Sequence, residues 1–100
     1  MIEINNTSGK TIYTSESATT IREAVEEAVK SNISLEEADL SGKDLEGANI
    51  QGANLRLANL RLTNLEGANI QGAHLWGVDF TGIKLRWANL KGANMEWTTI

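Results

Sequence analysis

One hundred residues and a net charge of −4 bound the chain to one small domain, 41% hydrophobic and 22% charged as in ordinary globular proteins. With no cysteine it has no disulfide framework, no thiolate nucleophile and no Cys-based metal site. The charge argues against a dense basic nucleic-acid face, and no apolar run approaches the roughly 18 residues of a membrane span.

Met1–Asn6 lacks the basic and apolar regions of a signal peptide, so a cytoplasmic location is expected. Ile2-Glu3-Ile4 and Thr11-Ile12-Tyr13-Thr14 alternate like two strands, and Asn5 to Gly9 between them is turn chemistry. Thr20 followed by Glu23 forms a capping box. Beyond it, Ile21, Ala24, Val25, Ala28 and Val29 fall on one helical face, and the pattern ends near Ser31-Asn32. Residues 1–32 therefore read as a β-hairpin and one amphipathic helix. Their place in the chain suits a cap over the first coil of the repeat that begins at residue 33.

From residue 33 to 100 a period of five takes over. The central apolar position falls at Leu35, Leu40, Leu45, Ile50, Leu55, Leu60, Leu65, Ile70, Leu75, Phe80, Leu85, Leu90, Met95 and Ile100. At this apolar content, chance would give such a run about twice in a hundred thousand trials. Ala stands two before the centre in eight of the fourteen units, and Asn or Asp one before it in ten. Gly stands two after it in eight of the thirteen units that have that position. Steps of five scatter around a helix, whereas in an extended chain residues two apart share a face. Ala and Leu then point inward, the Asn between them points out, and Gly serves a corner that needs positive φ.

The string LEGANIQGA at 45–53 returns at 65–73, so twenty residues, or four units, make one coil. Coils should stack at roughly 4.8 Å, with Leu on Leu and Ala on Ala inside. Asn49, Asn69 and Asn89 should form an external side-chain ladder. Lys43, Thr63, Ile83 and Thr98 depart from the expected Ala, and Val78 does so mildly. A buried Lys is costly, which places Lys43 in an imperfect first coil still open to water.

The unit A-(N/D)-L-x-G resembles the pentapeptide-repeat proteins over about two thirds of the chain. That resemblance implies an all-β solenoid, a right-handed quadrilateral β-helix, here with a hairpin and helix cap. The cap is similar to the N-terminal segment of some bacterial and phage members.

No residue set carries catalytic chemistry, and no cofactor or metal is expected. His74 is the single histidine, at an outward position with no second ligand. Glu36, Glu37, Asp39, Asp44 and Glu46 read as a solvated acidic face, and Glu66 and Arg86 as an exposed ion pair. The informative residues are off-pattern: Leu57, Leu62, Trp76, Trp87 and Trp97 at corners that normally hold small or polar side chains. Trp is enriched at interface hot spots, so these read as a protein-interaction surface. The competing reading is that the Trp rings lie flat over glycine-bared backbone such as Gly77 and simply shield the coil.

Met95, Trp97 and Ile100 belong to a last coil with no closing element, which invites end-to-end contact unless Trp97 folds across and closes it. The resemblance supports a homodimer there, since several family members dimerise through that end. The expected function is a non-catalytic structural or protein-interaction module that self-associates. The alternative implied by the resemblance is a DNA mimic that binds a DNA-processing protein such as gyrase. Eight acidic and six basic groups leave residues 33–100 with a net charge of only −2, which counts against that alternative. Direct nucleic-acid binding by Arg56, Arg61, Arg86 and Lys91 is not expected, because these groups lie on different sides.

Overall fold

The computed structural model describes every residue from Met1 to Ile100. Strands β1 (Ile2–Asn5) and β2 (Thr11–Ser15) pair antiparallel, with Ile2 opposite Ser15 and Ile4 opposite Tyr13. Asn6 closes their turn, its Oδ1 accepting from the amides of Ser8 and Lys10. Helix α1 (Ile21–Lys30) begins at Thr20, whose hydroxyl accepts from the Glu23 amide. The other half of the capping box is displaced by one residue. Glu23 Oε1 accepts from the amide and the hydroxyl of Thr19. Those bonds, the Thr19 amide first, hold the Glu23 carboxyl below its ordinary range.

Ala24, Val25 and Ala28 face inward and are fully buried. The Tyr13 hydroxyl donates to Glu27, which also accepts from Ser15, so the helix is fastened to the hairpin. The bond to the Glu27 carboxylate raises the Tyr13 phenol above its usual range.

Beyond the helix, the backbone pairs with itself twenty residues on. Nine parallel bridges run from Asp39–Asn59 to Asp79–Thr99, each joining residues twenty apart. The coil therefore has four sides of one unit each. In the units centred on Leu60, Leu65 and Ile70 all five amides find partners, and the pattern explains the sequence. The central amide donates to the next coil, as Leu35 does to the carbonyl of Asn54, and the corner amide does likewise, as Glu37 does to Arg56. The Asn-position amide donates back, as Asn59 does to the carbonyl of Ala38. The Ala-position amide closes the corner, as Ala38 does on Leu35. Only the amide just after the centre points away from every coil.

That outward amide is what Asn and Asp are for. All ten Asn or Asp residues at their position accept from the amide two residues on, from Asp39 to Ser41 through Asn94 to Glu96. This corrects the expected Asn ladder. Asn49, Asn69 and Asn89 do stack through backbone bridges, but their side-chain oxygens turn along the chain instead of toward one another. An Asx turn satisfies a donor that the coil geometry would otherwise leave to water.

The inward columns are Leu35–Leu55–Leu75–Met95, Leu40–Leu60–Phe80–Ile100, Leu45–Leu65–Leu85 and Ile50–Ile70–Leu90. In the first two coils the central residues are at most 1% exposed. Thr63 is fully buried in an Ala position, its hydroxyl donating 2.8 Å to the carbonyl of Leu40. Lys43, in the same column one coil earlier, is exposed, as expected of an amine in an unfinished coil.

The cap docks through main chain as well as side chains. The Asp39 amide donates to Asn5, the Thr7 amide to Glu37, and Glu26 Oε2 accepts from the Asn49 amide. The edge of the first coil is thereby covered by β1 on one side and α1 on another.

Thr20→Ala should lower stability by about 1 kcal/mol through loss of the N-cap bond, measured by chemical denaturation. Glu23 has a depressed folded pKa, so its stabilising contribution is complete above the ordinary glutamate value of 4.5 and is lost as pH falls through the folded value. Amide exchange in α1 should therefore accelerate in that acid window in the wild type, and Glu23→Gln should flatten the dependence. Asn59→Ala should cost about 1 kcal/mol by orphaning the Arg61 amide, whereas Arg61→Ala should cost less than half of that.

Candidate interaction surface

The corner residue of every unit from Glu37 to Trp97 has positive φ, between 60 and 73°. The residue before it does not, and the amide after it closes back on the central carbonyl, so each corner is a type II turn. Gly suits this conformation. Glu37, Leu57, Leu62, Trp87 and Trp97 occupy it at φ of 60–63°, a left-handed backbone that costs a side-chain-bearing residue about 1–2 kcal/mol. The off-pattern residues are therefore strained as well as apolar. Strain of this kind concentrates where a side chain has a use.

Leu57 and Leu62 use it within the fold. A methyl group built on Gly77 would lie 2.6 Å from Leu57 Cδ2, and one on Gly82 2.6 Å from Leu62 Cδ2. Each leucine folds down the corner and fills the space its glycine leaves on the next coil. They still remain 41% and 66% exposed. The shielding expected of Trp over Gly77 is thus performed by Leu57.

Trp76 departs from the expectation of a free corner aromatic. It lies one residue before the corner and is half-buried, with the Arg56 guanidinium 5.4 Å from its ring centroid. Arg56 also bonds Glu36 at 3.2 Å, so Glu36, Arg56 and Trp76 form one stack down the rod. Such a stack holds the ring in place, by a cation–π contact of roughly 0.5–1 kcal/mol at an exposed site.

Trp87 and Trp97 are 82% and 77% exposed, and both belong to the last coil. They sit two corners apart, on opposite edges of the rod. The five singled-out residues thus do not form one patch. Leu57, Trp76 and Trp97 follow one edge, Leu62 the next, and Trp87 the edge diagonal to the first. Arg86 lies over the Trp87 ring at 5.3 Å and makes no ion pair with Glu66, contrary to the expected pairing. The ring face captures the guanidinium before the carboxylate one coil away can.

The amides of Gly82, Leu85, Trp87, Leu90, Gly92, Met95, Trp97 and Ile100 lack the acceptors that their counterparts one coil earlier have. The carbonyls of Ile83, Ala88, Ala93 and Thr98 are likewise unpaired along the rod. Met95 is 40% exposed and Ile100 96%, at the ends of columns that are otherwise dry.

The remaining polar features are modest. His74 is exposed, and its unit lacks the Asx bond to the following amide. Asp79 is held below the usual carboxylate range by the Thr81 hydroxyl and amide, with Arg61 3.8 Å away adding to it. A groove of about 560 Å³ between the end of α1 and the coil is lined by Val29, Ile33, Gln51, Asn54 and His74 among others. Arg56 also borders it, but is committed to Glu36 and Trp76. No three His, Asp or Glu side chains converge as a metal site would require. No helix is long and apolar enough to cross a membrane.

The family model for pentapeptide repeats matches in eight copies over residues 31–67 and 68–100. The chain belongs to the pentapeptide-repeat family. Members of this family form right-handed quadrilateral β-helices and are generally non-catalytic structural or interaction proteins. Among solved structures, it is similar to a pentapeptide-repeat protein (Rfr23) from the cyanobacterium Cyanothece 51142, with 45% identity and a TM-score of 0.60 over 61% of this chain and 42% of that one. It is also similar to a pentapeptide-repeat protein of the Arabidopsis thaliana thylakoid lumen, with 31% identity and a TM-score of 0.52 over 65% of this chain and 52% of that one. The match thus spans about half the length of those proteins or less. No curated protein matches the chain.

Gly77→Ala should destabilise by about 1–2 kcal/mol from the left-handed backbone alone, with a further loss from collision with Leu57 Cδ2. In a Leu57→Gly background the collision part should vanish. A double-mutant cycle by urea denaturation reads it directly, and additive effects would show that Leu57 does not rest on Gly77.

Proposed function

We propose that this pentapeptide-repeat chain is a non-catalytic interaction module that self-associates through the open face of its last coil. The observation that carries the reading is the contrast between coils. Leu55 and Leu60 are 1% exposed, while Met95 and Ile100 at the foot of their columns are 40% and 96% exposed. A contiguous apolar end bordered by unpaired amides is stabilised by covering it. The opposite end is already covered by the hairpin and helix, so the two ends are not equivalent and stacking would stop at a pair.

The DNA-mimic alternative has less support. The longest dimension of the molecule is 32 Å, and its repeat carries a net charge of −2 from eight acidic and six basic groups. Mimicry of a duplex calls for a longer and more acidic rod.

The test is solution mass across a concentration series of the 100-residue chain. The expected result is a shift from monomer toward dimer, with Met95→Ser/Ile100→Ser moving the midpoint at least tenfold higher. A chain that stays monomeric at its highest soluble concentration removes the self-association reading. Inhibition of gyrase supercoiling by the monomer would favour the alternative.

A further inference from the structure

The four sides of the coil differ in how their charges are disposed. On three of them charges are few or balanced: Arg61 faces Asp79, Arg56 bonds Glu36, and the side that starts with Asn49 and Gln51 bears only amides until Lys91. The side that starts with Lys43 is different. Parallel bridges join Asp44 to Asn64 and Asn64 to Lys84, so one column down that side runs acid, amide, cation. The column beside it, Glu46, Glu66 and Arg86, runs acid, acid, cation. Acids thus stand at the cap end and cations two coils away.

None of these charges is balanced by an ion pair within the chain. Its three ion pairs lie elsewhere, and Lys43, Asp44, Glu46, Glu66, Lys84 and Arg86 enter none of them. Asp44, Glu46, Lys84 and Arg86 are exposed. Between Asp79 and Glu96 the chain holds Lys84, Arg86 and Lys91 and no acid, although its net charge is −4.

A column that reverses sign along the rod is complementary to itself turned end for end. Let a second copy lie alongside about a two-fold axis in the contact plane, parallel to the strands of the middle coil. The first coil of each copy then faces the third coil of the other. Asp44 meets Lys84 of the second copy and Glu46 meets its Arg86, and both pairs recur by symmetry, as an isologous contact requires. The Asn64 amides meet on the axis. Rods running the same way would instead set acid against acid and cation against cation.

The corners bordering this side fit the same arrangement. Gly47, Gly67 and Trp87 follow one another down one border. The reversed copy brings Trp87, 82% exposed at a φ of 63°, over Gly47, where an added methyl group would meet nothing within 4 Å. Leu57 and Leu62 cover glycines in this way within the chain. At the other border Leu62, 66% exposed, meets its own counterpart.

We propose that two copies of this chain associate side by side and antiparallel through the side that starts with Lys43. Asp44 and Glu46 of each copy face Lys84 and Arg86 of the other, and Trp87 sits on Gly47. The contact is independent of the end face and uses neither end of the rod. Glu66 alone opposes it, meeting its counterpart near the axis. One side of a short rod is a small interface, so the pairing is weak and sensitive to salt.

The experiment is sedimentation velocity on wild type and on Met95→Ser/Ile100→Ser, which removes the end contact, at about 20 and about 500 mM salt. A dimer should persist in that background at low salt and dissociate at high salt. Lys84→Glu/Arg86→Glu and Asp44→Asn/Glu46→Lys should each raise its dissociation constant at least about tenfold. Asp44→Asn keeps the side-chain oxygen that closes its turn, and circular dichroism checks that every variant is folded. Mixed together, the two charge variants should form a heterodimer although neither pairs with itself. Glu66→Gln should tighten the pair. Absence of a dimer at low salt in the Met95→Ser/Ile100→Ser background would overturn the side contact, and so would charge variants that pair as before or fail to pair when mixed. Association lost with Met95→Ser/Ile100→Ser yet indifferent to the charge changes would overturn it too and leave the end contact standing.

Discussion

Everything in this molecule depends on giving each backbone amide of a five-residue unit an acceptor without long strands. Two amides point to the next coil, one points to the coil before, and one closes the corner. The fifth points outward and is met by the Asn or Asp side chain of its own unit. Buried main-chain groups are costly when unpaired, so this distribution decides the residue type at three of five positions. Corners need left-handed backbone, hence Gly. The outward amide needs an Asx oxygen, and the narrow interior leaves room for Ala beside Leu.

The same direction of bonding makes the two ends of the rod unlike. At the first coil, the hairpin and helix supply both kinds of partner. Asn5 accepts from the amide of Asp39, the Thr7 amide donates to Glu37, and the Glu26 carboxylate accepts from Asn49. At the last coil, donors outnumber acceptors, and the apolar columns end in exposed Met95 and Ile100.

Departures from the repeat fall into two kinds. Some are absorbed locally. Thr63 satisfies its hydroxyl on the Leu40 carbonyl, Lys43 stays at the open margin of the first coil, and Leu57 and Leu62 rest on glycines. Trp76 is pinned beneath Arg56. Trp87 and Trp97 are not absorbed. They retain left-handed backbone and high exposure together, Trp87 with Arg86 over its ring.

Residue order alone is enough for the repeat, the four-sided coil and the hairpin-plus-helix cap. Periods of two, five and twenty are set by local backbone geometry and by side-chain volume, and both are written along the chain. The unusual corners are marked there too, because a large residue where Gly belongs is visible without coordinates. Even the resting of Leu57 on Gly77 leaves a trace, in the glycine that follows each corner leucine by twenty residues. How each side chain resolves its position is settled only in the wound rod. Trp76 and Trp87 each lie against one arginine, yet one is half-buried and the other 82% exposed. That difference depends on which coils lie above and below, a relation between residues twenty apart that no local pattern specifies. The direction in which Asn oxygens turn and the capture of Arg86 by a ring instead of by Glu66 are decided the same way. Each is a competition among partners that meet only once the coils have stacked.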